Sequence, residues 1–101
     1  MAYYVLFDTE TTGNQEEDKV IQFGAMIVDK SGKVEAFDEL CSSDVAIKLE
    51  AMEVHNITPD LLINKPKAIE TSFYKRLEEL NTNENYLIAH NISFDMGIIK
   101  K

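Results

Sequence analysis

Tyr3-Tyr4-Val5-Leu6-Phe7-Asp8-Thr9-Glu10-Thr11-Thr12-Gly13 is the stretch from which the architecture is read. Tyr3 to Asp8 is apolar almost without interruption, the pattern of a central strand covered on both faces. Strand side chains alternate between faces, so Asp8 and Glu10 project together with Cα atoms roughly 6.5 Å apart. Beyond them, Gln15-Glu16-Glu17-Asp18 reads as a solvated loop tip.

Working outward, Val20 to Asp29 is rich in β-branched and aromatic residues and predicts a second strand. Asp29-Lys30-Ser31-Gly32-Lys33 carries turn chemistry, with a glycine for positive φ. Val34 to Leu40 predicts a third strand at an edge, which completes an antiparallel meander. Ala46 to Val54 predicts a helix with Ile47, Leu49 and Met52 on one side. Thr58 and Pro59 suit the N-cap and first position of a helix. Ile69, Phe73, Leu77 and Leu80 define one helical stripe. Tyr86-Leu87-Ile88-Ala89 predicts a short strand, and Ser93 caps a last helix holding Asp95, Met96, Ile98 and Ile99. The order of elements predicts an α/β domain whose fourth strand pairs parallel to the first, because a crossover helix joins them. The C-terminal ends of those two strands then lie side by side, and Asp95 converges on Asp8 and Glu10.

Three converging carboxylates repel one another unless a cation sits between them. Hard oxygen ligands suit magnesium or manganese, and two such ions about 3.5–4 Å apart can support phosphodiester hydrolysis. The chain has 101 residues, enough for one small domain, and its 45% hydrophobic content supports a core. Ten basic against eighteen acidic residues give a net charge of −8. That balance counts against a basic nucleic-acid face, although bound cations can themselves attract phosphate. Cys41 is the single cysteine, so no intrachain disulfide forms, which fits a reducing, cytoplasmic setting. It reads as a small hydrophobe at a strand end. No signal peptide or membrane span is visible in the pattern. Two matches to the glycosylation sequon, at Asn56 and Asn91, are coincidental in such a setting.

Asp8-Thr9-Glu10-Thr11-Thr12-Gly13 and His90-Asn91-Ile92-Ser93-Phe94-Asp95 resemble the first two motifs of the DEDD exonucleases, DEDDh type, in particular the branch of the polymerase III epsilon proofreading subunits. Val54-His55-Asn56-Ile57-Thr58 resembles a further family segment, usually Val-His-Gly-Ile-Thr. Asparagine tolerates the left-handed backbone that such a glycine takes. The likeness covers essentially the whole chain. It implies a ribonuclease H-like fold, two divalent ions (Mg²⁺ or Mn²⁺), and removal of nucleotides from single-stranded 3′ ends of DNA or RNA. The segment around His55 favours DNA and a polymerase-associated type. The resemblance further implies that Asp8, Glu10 and Asp95 are catalytic metal ligands. Thr9 and Thr11 would line the terminal nucleotide, Glu50 and His55 would lie near its sugar and base, and Asn91 and Phe94 would shape the pocket floor.

The family pattern also carries a third motif, His-x-x-x-x-Asp, that supplies a fourth acid and a general base. Neither His55 nor His90 matches it. Residues 1–101 are therefore expected to be the N-terminal part of one exonuclease domain, a truncated fold with little activity of its own. Ile98-Ile99 left uncovered and an unpaired edge on the fourth strand would favour self-association. Other functions fit less well. An aspartyl phosphotransferase wants a second aspartate two residues after Asp8, and a metal-dependent adhesion module wants serines where Glu10 and Thr12 stand. An exonuclease-like module kept for partner binding stays open.

Overall fold

Three strands joined by hairpins and a fourth added by a crossover build one sheet. The computed structural model describes residues 2–89 and 92–99. β1 (Tyr4–Thr11), β2 (Val20–Val28) and β3 (Val34–Leu40) form the antiparallel meander. β4 (Tyr86–Ile88) pairs parallel to β1, giving the order β3-β2-β1-β4. The crossover carries α1 (Leu49–His55), 3-10 turns at Pro59–Leu62 and Ala68–Glu70, and α2 (Ser72–Leu80). α3 (Ile92–Ile99) follows β4. Gly32 takes φ +89° in the β2–β3 turn, where the Asp29 carboxylate accepts from the Ser31 and Lys33 amides. Among the described residues no helix is long and apolar enough to cross a membrane.

The main core lies on one face of the sheet. Val5 and Phe7 of β1 and Phe23, Ala25 and Ile27 of β2 meet Phe73, Leu77 and Leu80 of α2 and Ile98 and Ile99 of α3. Phe73 is the hub, its ring 5.9, 5.2 and 5.4 Å from those of Phe7, Phe23 and Phe37 in tilted contacts. The start of α2 is well satisfied. Thr71 Oγ1 accepts from the Tyr74 amide, and the Glu39 carboxylate accepts from the Ser72 and Phe73 amides. Arg76 of α2 reaches Glu35 of β3 at 2.9 Å and clamps the helix to the sheet. Cys41 is buried at the end of β3, and burial, with Glu39 adding, pushes its thiol up to about 12.

The other face departs from the expectation that β1 is covered on both sides. Tyr86, Tyr4, Val28 and Val34 lie in register across all four strands, and so do Ile88, Leu6, Met26 and Ala36. These two apolar rows remain open: Leu6 is 43% and Met26 48% exposed. Both α2 and α3 pack on the Val5–Phe7 face, so nothing among the described residues covers the rows. Past the rows, a small second cluster gathers Ile57 and Leu62 around Ile21, against Leu40 and Ile47. Ile21 is the extra residue of a register shift, since Glu10 faces Gln22 while Thr11 faces Val20.

Four further expectations change. The helix expected over Ala46–Val54 begins at Leu49, after an extended Lys48 (ψ 145°), and buries no side chain, leaving Leu49 exposed. Ile69 is exposed because Thr71 is extended and separates its 3-10 turn from α2, which takes it off the stripe. Ser93 lies inside α3, whose first residue is Ile92. Ile98 and Ile99 are not left uncovered. Both are 4% exposed, because α3 turns them into the main core. His90 and Asn91, part of the second motif, lie outside the described residues, as do Lys100 and Lys101.

Candidate active site

Pleating decides where the two N-terminal acids point. Val5, Phe7 and Thr9 face the core, so Asp8 and Glu10 share the opposite face near the C-terminal end of β1. Asp8 stands opposite Gly24, and Glu10 opposite Gln22. The Asp8 carboxylate is exposed and accepts the Thr9 amide at 3.0 Å. Glu10 is half-buried. Its carboxyl is pushed above the ordinary carboxylate range first by burial and then by the Asp8 charge; His55 opposes this and Asp95 adds to it. Asp95 lies in the first turn of α3.

Asp95 itself is engaged elsewhere. It is buried, and its Oδ1 accepts from Thr9 Oγ1 at 2.5 Å on the core side of β1. Two carboxylates therefore stand on one face of the strand, and the third is tied to the threonine between them. Among the described residues no group of three or more His, Cys, Asp or Glu side chains is placed to hold a metal ion. The donor chemistry nevertheless suits a hard divalent cation. All three donors are carboxylates, and their mutual repulsion, which adds to the larger effect of burial in raising the Glu10 carboxyl, is what a bound cation relieves. The fit is one of chemistry and charge; a closed cage is not formed.

The remaining side chains are arranged by α1. A cleft of about 650 Å³ is lined by Thr9, Glu10, Thr11, Glu50, His55 and Phe94, together with Gly13, Asn14, Gln15 and Lys48. Six of the residues selected from sequence thus meet in one cavity; Asp8 and Asp95 are not on its lining, and Asn91 lies outside the described residues. Phe94 both lines the cleft and packs against the main core. His55 is held at both nitrogens. Its Nδ1 accepts from the Ile57 amide at 2.9 Å, which leaves the proton on Nε2 to be donated to the Thr11 carbonyl at 3.1 Å. Asn56 takes the left-handed conformation (φ 59°) that the sequence reading assigned to it, and its amide closes α1 on the Met52 carbonyl. A separate cleft of about 500 Å³, lined by Lys19, Ser42, Lys67 and Ile98 among others, holds none of the residues selected from sequence.

Asp18 is the residue that sequence reasoning missed. Expected at a solvated tip, it is fully buried. Its Oδ1 accepts from Thr12 Oγ1 at 2.7 Å, and its Oδ2 accepts from the Gln15 amide and from Lys48 Nζ, both at 2.8 Å. Burial works to raise its carboxyl, but these three donors together hold it below its ordinary value. No local pattern marks it, because Lys48 is 30 positions away.

This combination of a mixed sheet, parallel addition of β4 to β1 and acids at the adjoining strand ends defines a ribonuclease H-like nuclease fold. The chain belongs to the RNase T exonuclease family, whose sequence model matches residues 5–101. It is 38% identical over 98 residues to the DNA polymerase III subunit epsilon of Treponema pallidum (strain Nichols), covering 95% of this chain and 44% of that protein. It is 35% identical over 97 residues to the PolC-type DNA polymerase III of Bacillus cereus, 7% of whose length is matched. The chain thus spans less than half the length of either relative. Among solved structures, exonuclease X in complex with 5′ overhanging duplex DNA superposes with a TM-score of 0.72 at 27% identity, over 94% of this chain and 52% of that one. Escherichia coli exonuclease I in complex with a dA16 oligonucleotide shares the fold, with a TM-score of 0.78 at 22% identity over 99% of this chain and 23% of that one.

Proposed function

We propose that this protein is a metal-dependent 3′→5′ exonuclease of the proofreading type, cleaving phosphodiester bonds at nucleic-acid 3′ ends with DNA favoured. In this reading it works in the cytoplasm beside a DNA polymerase subunit, and residues 1–101 are the N-terminal part of one exonuclease domain. The observation that carries the reading is geometric: Asp8 and Glu10 share one face at the end of β1, and Asp95, in α3 after the parallel β4, is hydrogen-bonded to Thr9 between them.

Two divalent ions, Mg²⁺ or Mn²⁺, would supply charge neutralisation of the phosphate and activation of a water when bound. Asp8 and Glu10 would hold them, with Asp95 completing the set. Thr11, Glu50, His55 and Phe94 give the terminal nucleotide a walled cleft that Glu10 also lines. His55, with Nδ1 occupied by the Ile57 amide, serves as a wall and a brace in this reading, and not as a proton acceptor. Turnover by these 101 residues alone is expected to be weak, since the resemblance places the general base in a motif that neither histidine matches.

The test separates binding from turnover. Mn²⁺ titration of the chain, followed by electron paramagnetic resonance, is paired with binding of a 5′-labelled single strand bearing either a 3′-hydroxyl or a 3′-phosphate. Mn²⁺-dependent preference for the free 3′-hydroxyl is expected, with Glu10→Gln weakening Mn²⁺ by at least about tenfold. Metal-independent binding, or indifference to the 3′ end, would sink the nuclease reading. A second reading, an exonuclease-like module kept for partner binding, draws on the bond of Asp95 to Thr9. Absence of any Mn²⁺ binding would favour it.

A further inference from the structure

We infer that Asp18 and Lys48 are positioning residues for the candidate active site, and that through them α1 works as a staple across the end of β1. This inference rests on the metal-site reading for its consequence, but the staple itself is visible in the hydrogen bonding. α1 has only seven residues and buries none of them, so packing does not hold it in place. Its two ends instead grip two consecutive residues of the segment that follows Glu10. At the start of α1, the Lys48 amide donates to the Thr12 carbonyl at 2.8 Å, while Lys48 Nζ reaches Asp18 Oδ2. At its far end, His55 Nε2 donates to the Thr11 carbonyl.

Thr12 has no freedom left. Its amide donates to the Lys19 carbonyl at 2.9 Å and its carbonyl accepts from Lys48. Its hydroxyl donates to Asp18 and accepts from the Lys19 amide at 3.1 Å. Asp18 is the point where these connections meet, fully buried and bonded to both the strand end and the helix start. Gly13 permits the arrangement, because a Cβ there would stand 2.5 Å from Asp18 Oδ2 and 2.7 Å from Lys48 Cδ. The pair of buried Asp18 and half-buried Lys48 therefore sets how closely α1 sits over β1. That spacing fixes where Glu50 and His55 stand around Glu10.

A role in positioning and a role as a mere source of charge give opposite results for one substitution. Lys48→Met removes a positive charge near the acids, so a purely electrostatic role tightens Mn²⁺ binding. Positioning weakens it, by about tenfold, the low end of the scale of groups that orient metal ligands. The second readout is the His55 ring in nitrogen-detected NMR, which reports the Nε2–H tautomer directly. In the wild-type chain a single Nε2–H form is expected; in Lys48→Met the ring should move to a mixture, and Lys48→Arg should restore both readouts. Where Lys48→Met does not fold, the double variant Asp18→Asn/Lys48→Met leaves no unpaired buried charge and replaces it. Tighter or unchanged Mn²⁺ binding together with an unaltered His55 tautomer overturns the inference. Should the wild-type chain bind no Mn²⁺, the metal reading fails by itself, and the His55 signals of the same variants decide the staple alone.

Discussion

Gly13→Ala is the sharpest single perturbation of this structure. Gly13 needs no unusual backbone; what excludes a side chain is the approach of two groups from elsewhere in the chain. An added Cβ would meet Asp18 Oδ2 at 2.5 Å, Lys48 Cδ at 2.7 Å and Asp18 Cγ at 2.9 Å, all inside the 3.0 Å that real Cβ contacts essentially never cross. Neither neighbour can yield easily. The Asp18 carboxylate is held by three donors, and the Lys48 contact is with the stem, whose ammonium end is itself bonded to Asp18. Overpacking of this kind costs about 1–3 kcal/mol, and the rigidity of both neighbours puts the loss in the upper half of that range. For a chain of this size each kcal/mol moves the melting temperature by about 4–8 °C, so a fall of about 10–20 °C is expected. Gly24 supplies the control. Nothing lies within 4 Å of its added Cβ, and it sits in a strand, where alanine is the better residue. Differential scanning calorimetry of Gly13→Ala, Gly24→Ala and the wild type reads the contrast. A Gly13→Ala melting temperature within about 3 °C of wild type, on the same scale of degrees per kcal/mol, would refute the view that the Asp18–Lys48 contact is tightly packed on the chain at that point.

The open sheet face gives a second contrast: Phe7→Ala, in the core, should cost about 3–5 kcal/mol in urea denaturation, while Leu6→Lys, one residue along, should cost under about 1. A large loss for Leu6→Lys would mean that the face is covered in solution. Asp18 also shapes the acid limb of stability. Its folded-state carboxyl lies below the ordinary value of 3.8, so the stability it contributes is present above that value and is lost as pH falls through the folded-state value. Thermal stability should therefore drop steadily below about pH 4, and Asp18→Asn should flatten that limb; an unchanged slope in the variant would contradict the assignment. Asn56→Ala should lose about 1 kcal/mol by denaturant titration, and Asn56→Gly nothing, because the position needs φ near 59°.

Several features were legible because they follow from local rules. The period of two along a strand is fixed by backbone geometry, so the shared direction of Asp8 and Glu10 needs no knowledge of neighbours. The parallel pairing of β4 with β1 follows from the crossover between them, and Phe73, Leu77 and Leu80 follow from helical spacing. Asn56 was readable because few residues accept a left-handed backbone. The sequence also shows the acids that could bind a cation and the family motifs they belong to.

What only the tertiary structure decided depends on partners far apart in the chain. The apolar character of β1 says that it could be covered twice, but the helices chose one face, and Leu6 stayed open. Ile98 and Ile99 are buried because α3 turns that side to the core, which helix periodicity alone does not orient. Asp95 ends on Thr9, between the two N-terminal acids, because α3 packs on that face of β1. Asp18, surrounded in sequence by polar residues, is buried because a lysine 30 positions on arrives beside it. Local stereochemistry sets the direction of a side chain relative to its own backbone. Whether that direction ends in water, in a carboxylate or in the core is settled only when distant elements pack.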